Sequence, residues 1–192
     1  MTDIVCAVDP GHGGRNKGAR SPDYRAREEI LTLRVARRAR ELDGGLILTR
    51  SKDITISYQL RARLARARGV DLVVLVHFDS APQRVTRCGV DAYYYRSNPV
   101  TRSLAKWAVE HAPPQLDGGR VISSIEATDA ARNLLTVYPM DALLLEMGFL
   151  SNPRDYRFLT GPDGIDACAR HVVACCCEYR KIIGDKAHGN TT

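Results

Sequence analysis

The chain has 192 residues, of which 44% are hydrophobic and 26% are charged, and its formal net charge is +6. This composition is typical of a globular protein and excludes a disordered or fibrous one. The length suits one domain with a well-packed core, because two ordinary domains need a longer chain.

The beginning of the chain lacks a basic segment followed by an apolar one, so it does not read as a signal peptide. No apolar run approaches the roughly 18 residues that a membrane-spanning helix needs. We therefore expect a protein that is made in the cytoplasm without a signal peptide and is not inserted in a membrane. Residues 1–184 should form the domain, and residues 185–192 should form a disordered tail.

Short apolar segments rich in β-branched residues alternate along the chain with helical patterns, and each segment is predicted to be a strand. These segments are residues 4–8, 46–49, 72–76, 90–95 and 142–145. Most of them lack a polar residue at every second position, which indicates that both faces of the sheet are covered. The prediction is an α/β fold: a three-layer sandwich with a mostly parallel central sheet and helices on both faces.

Two helices are predicted in the first half of the chain from apolar residues at helical spacing. The first helix should bury a stripe formed by Leu31, Val35, Ala39 and Leu42. The second should bury a stripe formed by Leu60, Leu64 and Ala67. Ser57 is the predicted N-cap of the second helix, and Gly69 is predicted to end it.

The second half of the chain ends in two further predicted helices. One should start after Asn152, which would cap it, with Pro153 in its first turn and Asp155 near the positive end of its dipole. The last helix should extend from about residue 163 to 183. Its buried stripe should contain Ile165, Cys168, Val172 and Cys175. Residues 113–138 show the least regular pattern, and we expect this connection to build the substrate groove.

Six cysteines raise the question of disulfide bonds. Cys175, Cys176 and Cys177 are consecutive, and the sequence contains no CxxC motif. A domain of this size also needs no covalent cross-link to be stable. We predict that all six are free thiols in a reducing compartment.

Arginines are concentrated in residues 25–40 and 61–68, within two predicted helices. Together with the net charge of +6, they would attract an anionic surface, either a cell-wall polymer or a nucleic acid. The alternative is an ordinary solvated helix face. Aromatic residues do not alternate with these arginines, so a platform that stacks nucleic-acid bases is not expected.

Four polar residues are predicted at the ends of strands or at the start of a helix, where open α/β sheets place their sites. They are His12, Glu28, His77 and Glu146. Two imidazoles and a carboxylate are usual ligands of a catalytic zinc ion, and Glu146 would then remain for proton transfer. Taken singly, each residue also fits a structural role, and no HExxH motif decides between the two.

The other polar residues near these positions have less specific predictions. Asp9 and Asp79 flank the proposed ligands and would either orient an imidazole or stabilise a turn. His111 and His171 lie in predicted amphipathic helices and His188 lies in the tail, so no metal role is expected for them.

Four sequence features together resemble the zinc-dependent type-3 family of N-acetylmuramoyl-L-alanine amidases, and the resemblance spans nearly the whole chain. They are VDPGHGG at residues 8–14, Glu28 at the head of the first helix, DLVVLVH at residues 71–77 and LLLEMGFLSNPRD at residues 143–155. Arg50 and Arg61 also stand where such sequences commonly carry arginine, and GFLSN after the glutamate is a specific signature.

The resemblance implies that His12, Glu28 and His77 bind one zinc ion and that Glu146 is the catalytic carboxylate. Glu29 is the alternative third ligand. Glu28 is preferred because it lies in the first turn of the helix, and because the family's ligand precedes a helix leucine by five residues, as Glu28 precedes Leu33.

The sequence departs from the family pattern in three places, which bear on peptide specificity. His77 is followed by Phe78 and Asp79 where a small residue and then Asn or Asp are usual, so Phe78 would narrow the groove. Asp141 stands where the family often has proline. Leu135 and Thr136 replace a leucine-arginine pair.

The resemblance implies a peptidoglycan hydrolase that cleaves the amide bond between N-acetylmuramic acid and the L-alanine of the stem peptide. The expected partner is peptidoglycan and not nucleic acid, and we expect a monomer. The protein would act on the wall after release by a holin, as a phage endolysin, or as part of a longer exported bacterial autolysin. The alternatives are a cytoplasmic zinc peptidase or deacylase, and a non-catalytic wall-binding domain, which the presence of all four site residues disfavours.

Overall fold

Six strands form one central sheet in the computed structural model, which describes residues 3–81 and 86–187. They are β1 (Cys6–Pro10), β2 (Ile47–Leu48), β3 (Leu72–Asp79), β4 (Val90–Tyr94), β5 (Val121–Ser123) and β6 (Asp141–Phe149). The order across the sheet is β2-β1-β3-β6-β4-β5. The strands β2, β1, β3 and β6 are parallel, whereas β4 is antiparallel to β6 and β5 is parallel to β4. The predicted mostly parallel sheet is confirmed.

In the described part of the chain, six α-helices cover this sheet. They are α1 (Glu28–Leu42), α2 (Tyr58–Ala67), α3 (Pro99–Glu110), α4 (Asp129–Thr136), α5 (Pro153–Thr160) and α6 (Gly164–Ala187). A large core joins one face of the sheet to α1, α3 and α6, and a smaller core joins the other face to α2 and α4. Both faces are covered, which confirms the three-layer α/β prediction. Within the described ranges, no helix combines the length and the apolar character needed to cross a bilayer.

The two strands that carry site residues are longer than the sequence predicts. β3 continues through His77 to Asp79, and β6 continues through Glu146 to Phe149. The sequence pattern predicts that each strand ends before its first polar residue. The strands continue because His77 and Glu146 pair with each other across the sheet and their flanking residues remain buried. His77 and Glu146 therefore lie on paired strands and not on loops.

The predicted buried stripe of α2 is wrong. Leu60 and Leu64 are 39% and 38% exposed, and the buried residues are Arg61, Ala62 and Ala65. The two alanines bring α2 close to the sheet, and the arginine satisfies a buried carboxylate, which an apolar-stripe rule does not consider. The predicted ends of α2 are confirmed. The Ser57 side chain accepts a hydrogen bond from Leu60 N (3.3 Å), and Gly69, which follows the helix, adopts a left-handed conformation.

The connection at residues 113–138 is more regular than predicted. It contains a short 3-10 helix (Pro114–Leu116), β5 and α4, and the Thr128 side chain caps α4 by accepting from Ala131 N (3.3 Å). The strand β5 has three residues, too few to give a recognisable alternation. That this connection builds the substrate groove remains a prediction.

The caps and ends of the last two helices largely follow the sequence. Asn152 accepts hydrogen bonds from Arg154 N (2.9 Å) and Asp155 N (3.3 Å), as predicted for an N-cap. Asp155 lies near the positive end of the helix dipole as predicted. Its buried carboxylate also accepts hydrogen bonds from Gly89 N (2.8 Å) and from Phe149 N (3.0 Å). The helix α6 extends to residue 187, three residues beyond the predicted domain end, and the rest of the predicted tail, including His188, lies outside the described residues.

All six cysteines are free thiols in the structure. Cys6, Cys168, Cys175 and Cys176 are buried, Cys88 is half-buried and Cys177 is exposed. Burial raises the pKa of Cys168 to about 12, which disfavours its reactive thiolate. We infer that reactivity in the folded protein resides in Cys177 first.

Thiol titration in denaturant without reductant should count six thiols. Titration of the folded protein should show one fast-reacting thiol, which Cys177→Ser should remove because the buried thiols are shielded. A count of two or fewer in denaturant would show disulfide bonds and contradict the prediction.

Candidate metal centre

Two imidazoles and one carboxylate meet at the carboxyl edge of the parallel strands. His77 Nδ1 lies 2.9 Å from Glu28 Oε1, and His12 Nε2 lies 3.0 Å from Glu28 Oε2. One possible ligand atom from each residue falls within 4.8 Å of the others. The structure therefore brings together the three residues that the sequence singled out as metal ligands.

Glu28 is buried in the first turn of α1 and holds this group together. Its Oε1 also accepts from Phe78 N (3.1 Å), and its Oε2 accepts from Ala19 N (2.6 Å). Burial raises the pKa of Glu28, but the hydrogen bonds and charges of His12 and His77 outweigh burial and lower it to about 2. The same contacts raise the pKa of His12 against the opposing effect of burial. The carboxylate is thus ionised and oriented.

Glu29, the alternative ligand, lies elsewhere. Its carboxylate is buried and faces Lys17 Nζ at 3.4 Å and Arg27 Nε at 3.3 Å. It is absent from the cluster that His12 and His77 form with Glu28. The geometry thus supports Glu28 over Glu29.

Asn16 orients the His12 ring, and the sequence reasoning missed it. Asn16 Oδ1 lies 2.9 Å from His12 Nδ1 and also accepts from Gly18 N at 3.3 Å. Paired backbone hydrogen bonds between Gly13 and Asn16 close the turn that returns Asn16 to the histidine. A hydrogen bond at Nδ1 leaves Nε2 to face Glu28. The available signal was an amide side chain four residues after a histidine in a glycine-rich turn.

Two glycines leave the space that these side chains need. A Cβ on Gly11 would overlap the His77 ring. A Cβ on Gly18, which has φ +64°, would overlap both the His12 ring and the Glu28 carboxylate. Larger residues at either position would displace a proposed ligand.

Two buried arginines hold the backbone that leads to His12. Arg50 donates through Nε to Pro10 O (2.9 Å) and through Nη2 to Gly11 O (2.8 Å). Arg61 donates to Pro10 O (2.6 Å) and to His12 O. His12 itself has a left-handed backbone, with φ of 59°, which a non-glycine residue adopts only at a cost. The arginines thus stabilise a strained position at the site.

Asp9 anchors one of these arginines and does not orient an imidazole. Its buried carboxylate accepts from Arg61 Nη1 (2.7 Å), from the Tyr138 hydroxyl (2.7 Å) and from the Thr49 hydroxyl. Asp79 is the last residue of β3 and accepts from Ser80 N (2.6 Å), and burial raises its pKa. Both aspartates flank the site as predicted, but the hydrogen bonds described above join them to groups other than the imidazoles.

Glu146 lies beside the cluster on the neighbouring strand. In the sheet register it pairs with His77 on one side and with Asp91 on the other, so all three side chains point to the same face. Its Oε2 is buried and has no hydrogen-bond partner among the described residues. Burial, followed by the negative charges of Glu28, Asp79 and Asp91, raises its pKa well above the usual range. This carboxylate is poised to accept a cation or a proton.

The three departures from the family pattern lie away from the cluster or inside the core. Phe78 is 1% exposed and packs in the larger core, so the expectation that it narrows the groove is wrong, because adjacent strand residues point to opposite faces. Asp141 lies at the opposite end of β6 and accepts from Tyr179 OH (2.8 Å). Leu135 is buried under the sheet, and Thr136 is exposed.

His111 and His171 lie outside the cluster of His12, Glu28 and His77. The His111 ring stacks on Trp107 with centroids 4.3 Å apart, and its Nδ1 lies 2.9 Å from Trp107 O. His171 is buried, and burial lowers its pKa to about 4. Both contribute to the packing between α3 and α6.

The residues of the cluster fit a metal ion. Two imidazoles and a carboxylate are the ligand set of catalytic zinc sites. Two buried atoms, His77 Nε2 and Glu146 Oε2, have no hydrogen-bond partner in the described part of the chain. A cation at the cluster would interact favourably with the lone pairs of both atoms. Fold and site together define an α/β protein with a candidate metal centre at the edge of its sheet.

Comparison with known proteins identifies the family. A family model described as N-acetylmuramoyl-L-alanine amidase matches residues 6–176. The chain belongs to this family, whose type-3 members are generally zinc-dependent, and the resemblance inferred from the sequence motifs is confirmed.

Several curated relatives carry related names. The chain is 34% identical over 112 residues to the N-acetylmuramoyl-L-alanine amidase AmiC of Escherichia coli, a match covering 56% of this chain and 26% of AmiC. It is 26% identical over 178 residues to the probable cell wall amidase LytH of Staphylococcus saprophyticus, covering 90% of this chain and 55% of LytH. The chain thus spans between a quarter and about half of the length of these relatives.

Solved structures share the fold. The catalytic domain of the amidase CwlV from Bacillus (Paenibacillus) polymyxa superposes with a TM-score of 0.80 at 22% identity, covering 94% of this chain and 99% of that one. The CwlD amidase of Clostridioides difficile superposes with a TM-score of 0.82 at 20% identity, covering 94% and 100%. At this identity the likeness supports the fold alone.

Proposed function

We propose that this chain hydrolyses the amide bond between N-acetylmuramic acid and the L-alanine of the stem peptide in peptidoglycan. The observation that carries the proposal is the convergence of His12, Glu28 and His77 beside a buried, unsatisfied Glu146. Family membership and the names of the relatives supply the substrate class. The substrate and the cleaved bond come from that kinship.

In this proposal, His12, Glu28 and His77 hold one zinc ion. Bound there, zinc would supply Lewis acidity, which polarises an amide carbonyl and makes water a stronger acid. Asn16 keeps the His12 ring in one tautomer, and Glu28 bridges the two histidines. These contacts fix the ligand directions before the substrate arrives, which reduces the reorganisation that the reaction requires.

Glu146 is the proposed proton carrier. Its position next to His77 in the sheet register places the carboxylate on the same face as the ligand set. Because its pKa is raised, Glu146 can hold a proton taken from water and then donate it to the departing amine of the L-alanine. The reaction needs both the ionised and the protonated form of Glu146, and the raised pKa makes the protonated form easier to reach.

Only some of the arginines support the predicted attraction to an anionic wall. Arg38 pairs with Asp166 at 2.6 Å, and Arg37 donates to Ser51 O at 2.6 Å, so these residues have structural partners. Arg63, Arg66 and Arg68 are exposed on or beside α2, a helix whose sequence has no acidic residue. We propose that any long-range attraction to the wall resides mainly in α2.

The metal assignment predicts one zinc ion per chain. His12→Ala and His77→Ala should each abolish stoichiometric zinc binding, measured by elemental analysis after desalting, because two remaining ligands bind too weakly. His111→Ala, which removes an exposed histidine remote from the cluster, is the matched control and should retain one zinc. Full wall hydrolysis in excess chelator, or unchanged zinc content in both site variants, would contradict the assignment.

A further inference from the structure

A small pocket opens beside His12 and is separate from the Glu146 side of the centre. It has a volume of about 260 Å³ and lies between the turn that follows His12 and the N-terminal turn of α2. Its lining includes Asn16, Thr55, Tyr58 and Gln59. The volume is just below the roughly 300 Å³ at which pockets begin to bury drug-sized ligands, so it suits one ring and not several.

The lining of this pocket combines apolar surface with several uncharged polar groups. It offers the ring of Tyr58, two carboxamides and three hydroxyl groups. The charged group that lines it, Arg61, is neutralised by Asp9, with Nη1 and Oδ1 2.7 Å apart. A ligand that carries hydroxyl and amide groups but no charge matches such a lining, because each of its polar groups can find a hydrogen-bond partner.

Two arginines line the opposite flank of the centre. Beyond Glu146, the next residue in the sheet register is Asp91, whose buried carboxylate pairs with both Arg87 and Arg120. Arg120 Nη2 is 3.4 Å from Asp91, and its side chain is 55% exposed. Two guanidinium groups on one carboxylate leave a positive charge, and arginine is well suited to bind a further carboxylate.

The two halves of the proposed substrate differ in the same way. The muramoyl sugar bears hydroxyl groups and an N-acetyl group and has no charge once its lactyl carboxyl is part of the amide. The peptide half ends in a carboxylate. The scissile amide must lie at the metal ligands and Glu146, which stand between the two flanks.

We propose that the substrate lies across the edge of the sheet in one direction, with the sugar in the pocket at Tyr58 and Gln59 and the peptide directed towards Arg87 and Arg120. This inference rests on the proposed amidase function and adds to it a sugar subsite and a polarity. Tyr58 and Gln59 determine recognition of the glycan half, and Arg120 determines recognition of the charged peptide half.

The test uses three soluble substrates and the zinc-loaded protein. The first is N-acetylmuramoyl-L-alanyl-peptide, the second is the same peptide carrying D-lactate in place of the sugar, and the third is the first with its C-terminal carboxylate amidated. The measured quantity is kcat/KM from release of the L-alanine amino group. Tyr58→Ala and Gln59→Ala should lower the preference for the first substrate over the second by about tenfold, the loss of one or two neutral contacts.

Arg120→Gln should instead lower the preference for the first substrate over the third, which lacks the free carboxylate, by about tenfold. Its preference for the first substrate over the second should remain that of the wild type. Tyr95→Ala and Arg102→Gln change an exposed tyrosine and an exposed arginine outside both flanks, and serve as matched controls.

Equal losses on all three substrates in the Tyr58 and Gln59 variants would overturn the sugar subsite. A sugar preference that depends on Arg120 would overturn the polarity. Failure of the wild-type protein to hydrolyse any of the three substrates would instead reject the proposed function, so the two failures are distinguishable.

Discussion

Glu146→Gln should reduce wall hydrolysis by about 100-fold or more while the protein retains one zinc ion. Glutamine has nearly the same shape as glutamate but cannot take a proton from water, and general base catalysis contributes roughly 10²–10⁴-fold to rates. The described contacts of Glu146 include no arginine, so the change leaves no cation unpaired. Release of amino groups from purified peptidoglycan measures the rate, and elemental analysis measures the metal.

The same substitution has a predicted effect on stability with a definite sign. The raised pKa of Glu146 means that the metal-free folded state disfavours the ionised side chain. Metal-free Glu146→Gln should therefore be more stable than the wild type at neutral pH. The advantage should shrink as the pH falls and should vanish below the unfolded-state pKa of about 4.3, where the wild-type carboxyl group is protonated in both states.

Glu110→Gln, which changes an exposed glutamate on α3, is the matched control. It should alter neither the rate of wall hydrolysis nor the stability of the metal-free protein. Wild-type activity in Glu146→Gln, or a variant that fails to fold, would contradict the assignment of Glu146. A metal-free variant less stable than the wild type at pH 7 would show that the glutamate is structural.

Arg61→Met should destabilise the fold by about 3–5 kcal/mol. Methionine fills a similar volume but leaves the buried Asp9 carboxylate without its cation, and breaking one partner of a buried ion pair has this cost. The variant also loses the hydrogen bonds to Pro10 O and His12 O, so the strained backbone at the site loses a restraint. Urea denaturation followed by circular dichroism measures the free energy of unfolding.

Arg63→Met provides the comparison on the same helix. Arg63 is exposed, and surface substitutions usually change stability by within about 0.5 kcal/mol. The double variant Asp9→Asn with Arg61→Met should recover part of the loss, because it removes the unpaired charge. Equal stabilities of Arg61→Met and Arg63→Met would show that the buried pair contributes nothing.

The sequence was sufficient for those features that depend on local chemistry. Strand-helix alternation predicted the three layers, and the side-chain caps at Ser57 and Asn152 were confirmed because they involve residues only two or three positions away. The motif around His12 and the strand before His77 identified the family. Glu28 and Glu29 are adjacent in sequence, and which of them faces the histidines is decided by the rotation of α1 about its axis, which the structure shows.

Features that depend on distant partners could not be predicted. Arg61 is buried because it pairs with the buried carboxylate of Asp9, 52 positions away in the sequence. A rule based on hydrophobic periodicity predicts instead that an arginine faces the solvent. Phe78 faces the core because the strand continues past His77, which depends on pairing with β6. Asp91 and Glu146 become neighbours only through the antiparallel pairing of β4 with β6.

The position of β6 also has a consequence for synthesis of the protein on the ribosome. β6 is the last of the strands among the described residues, yet it lies in the middle of the sheet, between β3 and β4. Until residues 141–149 have emerged, the strands β2, β1 and β3 have no connection to β4 and β5 through the sheet, and Glu146 is missing. A nascent chain or a product truncated before β6 therefore has neither a continuous sheet nor a complete site. The proposed wall-cleaving activity can therefore arise only after residues 141–149 have been made.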